Sequence, residues 1–100
     1  MVVVRFKVRS QPDRSAQVLA ALRDVIAPSR ALPGTISFDI GRDVADPDSF
    51  IATEVYEDQA ALERQEALPE VAKALGVLET SLVAEPEATI FRVSSSEPWG

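Results

Sequence analysis

Apolar and polar residues alternate along positions 2–9, at the start of the chain. The two alternating sets are Val4, Phe6 and Val8 on one side and Arg5, Lys7 and Arg9 on the other. Successive side chains of a strand point to opposite faces, so this period of two indicates a strand with one buried face. Pro12-Asp13 predicts its end.

A spacing of three and four residues follows, which indicates an amphipathic helix. Its apolar positions are Val18, Leu19, Leu22, Val25 and Ile26. Asp13 or Ser15 can cap this helix by accepting a hydrogen bond from a free backbone N–H. Pro28 lacks the N–H that would bond back one turn, so the helix is expected to kink or end there.

Two further strands are predicted in the middle of the chain. Leu32-Pro33-Gly34 is typical of a turn, and the second strand has an alternating apolar set: Ile36, Phe38 and Ile40. Residues 43–49 contain Asp46-Pro47-Asp48, a polar and Pro-containing stretch that predicts a hairpin loop. Phe50–Tyr56 is then expected to pair back as an antiparallel third strand.

The last part of the chain predicts a broken helix and a fourth strand. One helical side carries Leu62, Gln65, Leu68, Val71, Ala72, Leu75 and Leu78. Pro69 interrupts it, most simply as the first residue of a second helical segment. Glu85-Pro86 breaks the chain again, and Thr89–Val93 is the expected fourth strand. Residues 94–100 are predicted to be a flexible tail.

The predicted order is therefore β-α-β-β-α-β. Two β-α-β units around a hairpin predict a ferredoxin-like α+β sandwich over residues 1–93, with one antiparallel sheet and the helices on one of its faces.

The other sheet face has no predicted helical cover. We expect it to carry Arg5, Lys7, Arg9, Asp39, Phe50, Ala52, Glu54, Tyr56, Ile90 and Arg92. Aromatic side chains among compensating charges favour a homodimer through this face, the alternative being a solvated face. For Glu54 and Tyr56, strand alternation does not decide whether they point to this face or to the helices.

Composition narrows the classes of function. The net charge is −6 and the ten basic residues are scattered, whereas nucleic-acid binding requires a concentrated basic face, so no nucleic-acid partner is expected. No apolar run approaches the roughly 20 residues of a membrane helix, and a cytoplasmic location is the prediction. The acidic, Lys-poor composition is compatible with a salt-rich cytoplasm or with a GC-rich genome.

Several local patterns together resemble the antibiotic biosynthesis monooxygenase-like family. They are Pro33-Gly34 before strand two, Asp46-Pro47-Asp48 before strand three, Glu54-Val55-Tyr56-Glu57-Asp58 followed by Ala61-Leu62, and Glu85-Pro86 before the last strand. The resemblance spans residues 2–93. It implies a dimeric α+β barrel in which two sheets face each other. It also implies an inward helix position that is commonly His in the family and is Gln65 here.

The resemblance further implies chemistry without a cofactor. Monooxygenases of this family oxidise phenolic, quinol-like or anthrone-like aromatics without flavin or metal, so the protein supplies a base, polar anchors and a dry cavity. Candidate catalytic residues are Glu54, Tyr56 and Gln65. Candidate ligand-binding residues are Phe6, Phe38 and Gln65.

Each polar candidate also has a purely structural interpretation. Gln65 can be an amide that bonds backbone or water at a helix edge. Glu54 can pair with Arg5, Lys7 or Arg92, and Tyr56 can be a packing aromatic with a solvated hydroxyl. The function then has two candidates: a cofactor-free monooxygenase, or a non-catalytic dimeric module that binds a small molecule or serves in stress.

Other site chemistries are not expected. The chain has no His, Cys or Asn, so neither a haem site with an axial His nor a His- or Cys-based metal site is predicted. Asp43, Asp46 and Asp48 lack the Gly turn and distal Glu of a calcium loop.

Overall fold

The computed structural model covers residues 1–100 and contains four strands and three α-helices. The strands are β1 (Val2–Arg9), β2 (Thr35–Asp43), β3 (Asp46–Tyr56) and β4 (Glu87–Arg92), and the helices are α1 (Ser15–Arg30), α2 (Gln59–Glu66) and α3 (Pro69–Glu79). The strands form one antiparallel sheet in the order β2-β3-β1-β4. The predicted ferredoxin-like α+β fold is confirmed.

The register of the sheet corrects the predicted content of its helix-free face. Val4 is buried beneath the helices and pairs with Glu54 on one side and Ile90 on the other. Directly paired residues share a face, so these residues point toward the helices, and the same pairing places there Phe50, Ala52, Tyr56 and Arg92. The predicted positions of these β3 and β4 residues were wrong. Alternation shows which residues of one strand share a face, but it does not show which residues of two neighbouring strands lie opposite each other.

The residues that do lie on the helix-free face combine apolar and charged side chains. The pairing places there Val3, Arg5, Lys7, Asp39, Ile51, Thr53, Val55, Glu87, Thr89 and Phe91. The predicted positions of Arg5, Lys7 and Asp39 are thus confirmed. Lys7 also approaches Asp43, with Nζ 3.7 Å from Oδ2.

The first helix differs from the prediction at both ends. Ser15 is its first residue rather than a cap, and no side-chain cap is present. Ser15 Oγ instead donates to Asp48 Oδ1 over 2.6 Å and lies 2.5 Å from Ser10 Oγ, which ties the helix start to the sheet. The helix continues two residues past Pro28, to Arg30. Pro28 lies in the last turn, where its missing N–H removes only one bond of a helix already near its end.

The predicted hairpin loop at residues 43–49 is mostly strand. The turn consists of Val44 and Ala45, and β3 begins at Asp46. The Asp46 carboxylate accepts hydrogen bonds from Ser49 Oγ and from the Asp48 backbone N–H, which lower the pKa of Asp46. These side-chain bonds support a polar, Pro-containing stretch as a strand end, which composition alone does not indicate.

Pro69 is the first residue of α3, as predicted. The buried positions on this side of the two helices are Ala61, Leu62, Gln65, Ala74 and Leu78. Ala72 is exposed and Leu75 is half exposed, contrary to the predicted stripe. The break before Pro69 changes the helix phase, so one continuous period does not describe both segments.

The fourth strand begins and ends earlier than predicted, at Glu87 and Arg92, and all six of its residues are exposed. Residues 93–100 have no regular secondary structure; the domain boundary at residue 93 and the flexibility of the tail remain predictions. No helix is both long enough and apolar enough to cross a membrane.

Candidate functional site

A cavity of about 260 Å³ lies between the sheet and the helices. Fourteen of its seventeen lining residues are hydrophobic. The lining consists of Val4, Phe6, Leu22, Val25, Phe38, Ile40, Ala52, Glu54, Leu62, Gln65, Glu66, Val71, Ala74, Leu75, Leu78, Ala88 and Ile90.

The cavity exists because the buried core is divided. Three separate clusters of buried side chains pack between sheet and helices, centred on Tyr56, Phe50 and Phe38. Small residues at Ala52 and Ala74 leave space between these clusters. On the side of β4, Ala88 and Ile90 line the cavity without a helix over them. The cavity is therefore sealed toward β3 and open toward β4.

Glu54 and Tyr56 form a buried hydrogen-bonded pair beside the cavity. They are two residues apart in β3 and so share a face. Tyr56 Oη donates to Glu54 Oε1 over 2.5 Å, and the two residues are 0% and 8% exposed, respectively. Glu54 lines the cavity, whereas Tyr56 lies behind it.

Burial dominates the titration of this pair. Burial raises the pKa of Glu54, the hydrogen bond from Tyr56 opposes that rise, and the nearby carboxylate of Glu66 adds to it. Burial also raises the pKa of Tyr56, as does its bond to Glu54. A carboxyl with a raised pKa holds a proton more readily than one in water, which suits a proton acceptor in a dry site.

Glu54 has no ion-pair partner. Arg5 and Lys7 lie on the opposite sheet face, and Arg92 Nη1 donates to Gln59 Oε1 over 3.0 Å. The predicted alternative, in which Glu54 pairs with one of these cations, is wrong. The strand register places Arg5 and Lys7 on the other face, and Arg92, which shares the face of Glu54, bonds Gln59 instead.

Gln65 lines the cavity and also bonds within the protein, to a buried side chain rather than to backbone or water. It is 5% exposed, it lines the cavity, and its Nε2 donates to Ser29 Oγ over 3.2 Å. Ser29 is fully buried in α1. Gln65 therefore joins α2 to α1 and also presents a polar group to the cavity.

The structure brings four of the five candidate site residues to one cavity. Phe6, Phe38, Glu54 and Gln65 all line it, and Tyr56 contacts it only through Glu54. Whether any of them acts in catalysis or binding stays a prediction.

Glu66 was missed as a site residue. It lies four residues after Leu62, and side chains at that spacing share a helix face. The spacing was thus a usable signal. A charged residue at the end of a helix is also typical of a solvent-facing position, and Glu66 is both exposed and part of the cavity lining.

No group of three or more acidic side chains is arranged to hold a metal ion. The polar atoms available to a ligand in the cavity are the carboxylates of Glu54 and Glu66 and the amide of Gln65. The two carboxyl groups can accept a proton, and all three side chains can accept hydrogen bonds from the O–H or N–H group of an otherwise apolar ligand.

The comparisons with known proteins agree with this architecture. The family model described as antibiotic biosynthesis monooxygenase matches residues 1–86. The chain belongs to this family. One curated relative, uncharacterized protein sll1783 of Synechocystis, is 26% identical over 96% of the chain. The chain spans 65% of the length of that relative.

Solved structures share the fold of this family member over almost its whole length. A crystal structure of an antibiotic biosynthesis monooxygenase has a TM-score of 0.86 at 20% identity, covering 95% of this chain and 100% of the other. Rv0793 from Mycobacterium tuberculosis has a TM-score of 0.88 at 21% identity, covering 97% and 98%. At these identities the similarity establishes the fold.

Proposed function

We propose that this member of the family binds a small planar aromatic compound in the cavity and oxidises it with O₂ without a cofactor. The substrate class is a phenol, quinol or anthrone-like ring system. The observation that carries the proposal is the buried, unpaired carboxyl of Glu54 in an otherwise apolar cavity. A buried carboxylate without a cation is costly, and a role as proton acceptor accounts for it.

The hydrogen bond from Tyr56 gives the two carboxyl oxygens of Glu54 different roles. Oε1 accepts from Tyr56 Oη, so Oε2 is the oxygen available to a substrate proton. Glu54 would take the proton of a hydroxyl or acidic C–H group, and the electron-rich anion would then give electrons to O₂. For an anthrone-like substrate, the CH₂ group becomes a carbonyl with one oxygen atom, and the second oxygen leaves as water.

The dimensions and lining of the cavity fit a small apolar substrate. Ligand pockets commonly measure about 300–1,000 Å³, and a volume of about 260 Å³ lies just below that range. Phe6 from β1 and Phe38 from β2 contribute flat apolar side chains to the lining. An apolar lining also offers few proton donors that could reprotonate a reactive anion.

A second candidate function is a module that binds such a ligand without converting it. It is favoured by Gln65, which stands where the family resemblance implies His. An amide anchors a ligand by hydrogen bonding but does not act as a general acid or base near neutral pH. The two candidates share the cavity and differ only in turnover.

Oxygen uptake separates the two candidates. A thermal-shift screen of quinols and anthrones selects a ligand, and an oxygen electrode then follows its consumption by the wild type and by Glu54→Gln. If the protein is a monooxygenase, the wild type consumes O₂ and the variant binds the ligand with at least about tenfold slower turnover. Ligand binding without O₂ uptake by the wild type would favour the binding module.

Gln65→Leu tests whether Gln65 serves the ligand. If Gln65 anchors the ligand, the variant loses roughly 0.5–1.5 kcal/mol of binding free energy. If Gln65 serves only the contact with Ser29, the variant loses about 1–3 kcal/mol of unfolding free energy and keeps its affinity. Ser29→Ala is the matched control, because it removes the same hydrogen bond from the side away from the cavity.

We also propose that the protein forms a homodimer through its helix-free sheet face. The row Val3, Val55 and Phe91 supplies apolar area there, and Arg5 and Lys7 lie on the same face as Asp39 and Glu87. A face with both charge signs can complement a second copy of itself. Light scattering at micromolar concentration should give twice the chain mass of 10.8 kDa; a value near the single-chain mass would contradict the proposal.

A further inference from the structure

The charged residues lining the cavity are all acidic. They are Glu54 and Glu66, and the third polar residue is the neutral Gln65. No Arg or Lys is among the lining residues, and two arginines outside the lining bond elsewhere: Arg64 Nη2 donates to the carbonyl of Pro33 over 3.0 Å, and Arg92 Nη1 donates to Gln59 Oε1 over 3.0 Å. The cavity thus offers acceptors of hydrogen bonds and negative charge, and no cation.

The two glutamates occupy different depths. Glu54 is more than nine-tenths buried on the floor of the cavity, with Oε1 held by Tyr56. Glu66 is exposed and lies at the rim, as the last residue of α2. Both residues line the same cavity, and the carboxylate of Glu66 is close enough to act on Glu54, so a ligand beside Glu54 adjoins Glu66.

We propose that this cavity selects ligands by charge: it accepts a neutral or cationic aromatic molecule that presents a hydroxyl or ammonium donor to Glu54, and it rejects the carboxylate of the same shape, with Glu66 as the specificity-determining residue. The inference rests on the proposed function of the cavity as the ligand site. It adds a rule about which aromatic compounds can be substrates.

Burying an anion in an apolar cavity is costly. A carboxylate that leaves water for an apolar cavity loses its hydration, and only a cation or several donors can compensate it. Here it would meet the carboxylate of Glu66 at the rim and the carboxyl of Glu54 at the floor, and like charges repel each other, most strongly at the buried end of the cavity. A hydroxyl or ammonium group instead donates to Glu54 and satisfies a buried acceptor.

The rule is consistent with the proposed chemistry. A neutral phenol or anthrone enters without adding charge, and transfer of its proton to Glu54 moves one negative charge from the protein to the ligand. The total charge in the cavity stays constant. Glu66 also acts on Glu54 through space, since its carboxylate contributes to the raised pKa of Glu54.

Three probes with one ring system test the rule: 2-naphthol, 2-naphthylmethylamine and 2-naphthoate, each titrated into the full chain at pH 7 and low salt. We expect the naphthol and the amine to bind and the naphthoate to bind at least about tenfold more weakly than the naphthol. Glu66→Gln should strengthen naphthoate binding and weaken amine binding, each severalfold. Glu63→Gln is the matched control: it removes the same charge from an exposed position of α2 that does not line the cavity.

The outcomes separate this inference from the function on which it rests. Naphthoate binding as tight as naphthol binding would overturn the charge rule and leave the cavity as a ligand site. Equal effects of Glu66→Gln and Glu63→Gln would overturn the assignment to Glu66. If none of the three probes binds, both the rule and the proposed ligand site are overturned.

Discussion

β3 and β4 flank the same strand, β1, and differ completely in their surroundings. Both pair with β1 antiparallel. Every helix-facing residue of β3 from Phe50 to Tyr56 is buried, whereas all six residues of β4 are exposed. No helix packs extensively on β4. Both β3 and β4 are therefore formed by hydrogen bonding to β1. Only β3 contributes to the core, because helices pack over it.

The candidate site lies where this cover ends. Glu54 comes from the covered strand, and Ile90, directly across β1 from it through Val4, comes from the uncovered one. A polar group thus becomes buried on one side of a cavity that stays open on the other. Residues of one type in buried or tightly packed and in exposed positions allow the role of packing to be tested.

Phenylalanine provides the largest expected contrast. Phe50 is 2% exposed in β3 and Phe91 is 48% exposed in β4. Phe50→Ala should lower the free energy of unfolding by about 3–5 kcal/mol because it leaves a cavity in the core. Phe91→Ala should cost about 0.5 kcal/mol or less in the monomer, as exposed substitutions do. Urea midpoints at several protein concentrations measure both.

The concentration series also shows whether Phe91 is buried by a second copy of the chain or by contacts within one chain. A Phe91→Ala cost that grows with protein concentration would report the proposed dimer. A large cost at every concentration would contradict the contrast between the strands.

Glycine provides an intermediate contrast. Gly34 has φ 86°, and a Cβ added there would lie 2.7 Å from Ala61 Cβ; a Cβ added at Gly76 in α3 would meet nothing within 4 Å. Gly34→Ala should destabilise the fold by about 1–3 kcal/mol, since both the backbone and the contact are strained. Gly76→Ala should stabilise it by about 0.5–1 kcal/mol through helix propensity. Thermal unfolding of the two variants gives opposite signs if the packing is as described.

Two glutamates, Glu54 and Glu87, provide the smallest expected difference in stability, and this difference depends on pH. The folded-state pKa of Glu54 lies above its ordinary value of 4.5, so its stabilising contribution is complete below that value and is lost as the pH rises through the raised pKa. Glu54→Gln should therefore be more stable than the wild type near pH 7.5, with a difference that disappears below pH 4.5. Glu87→Gln, on exposed β4, is the control for removing one carboxylate from a solvent-facing strand position. A pH-independent difference for Glu54→Gln would mean that Glu54 titrates normally.

The sequence alone determined the order of the elements and most of the candidate site. Period-two alternation predicted the buried face of β1, and Pro33-Gly34 and Pro69 marked a turn and a helix start that the structure contains. These features depend on neighbours within a few residues, where steric and hydrogen-bonding preferences are strong. Phe6, Phe38, Glu54 and Gln65 could be proposed as site residues on local pattern and family resemblance.

Only the tertiary structure decided what those residues face and contact. The register places Glu54 under the helices, the crossing of α1 and α2 brings Ser29 to Gln65, and Glu66 reaches the rim of the cavity. Each of these contacts joins segments far apart in the chain, and shifting a strand register by one residue would reverse its faces. Local patterns carry no such register, so the burial of Glu54 and the acidic character of the cavity emerge only when the sheet and helices are assembled.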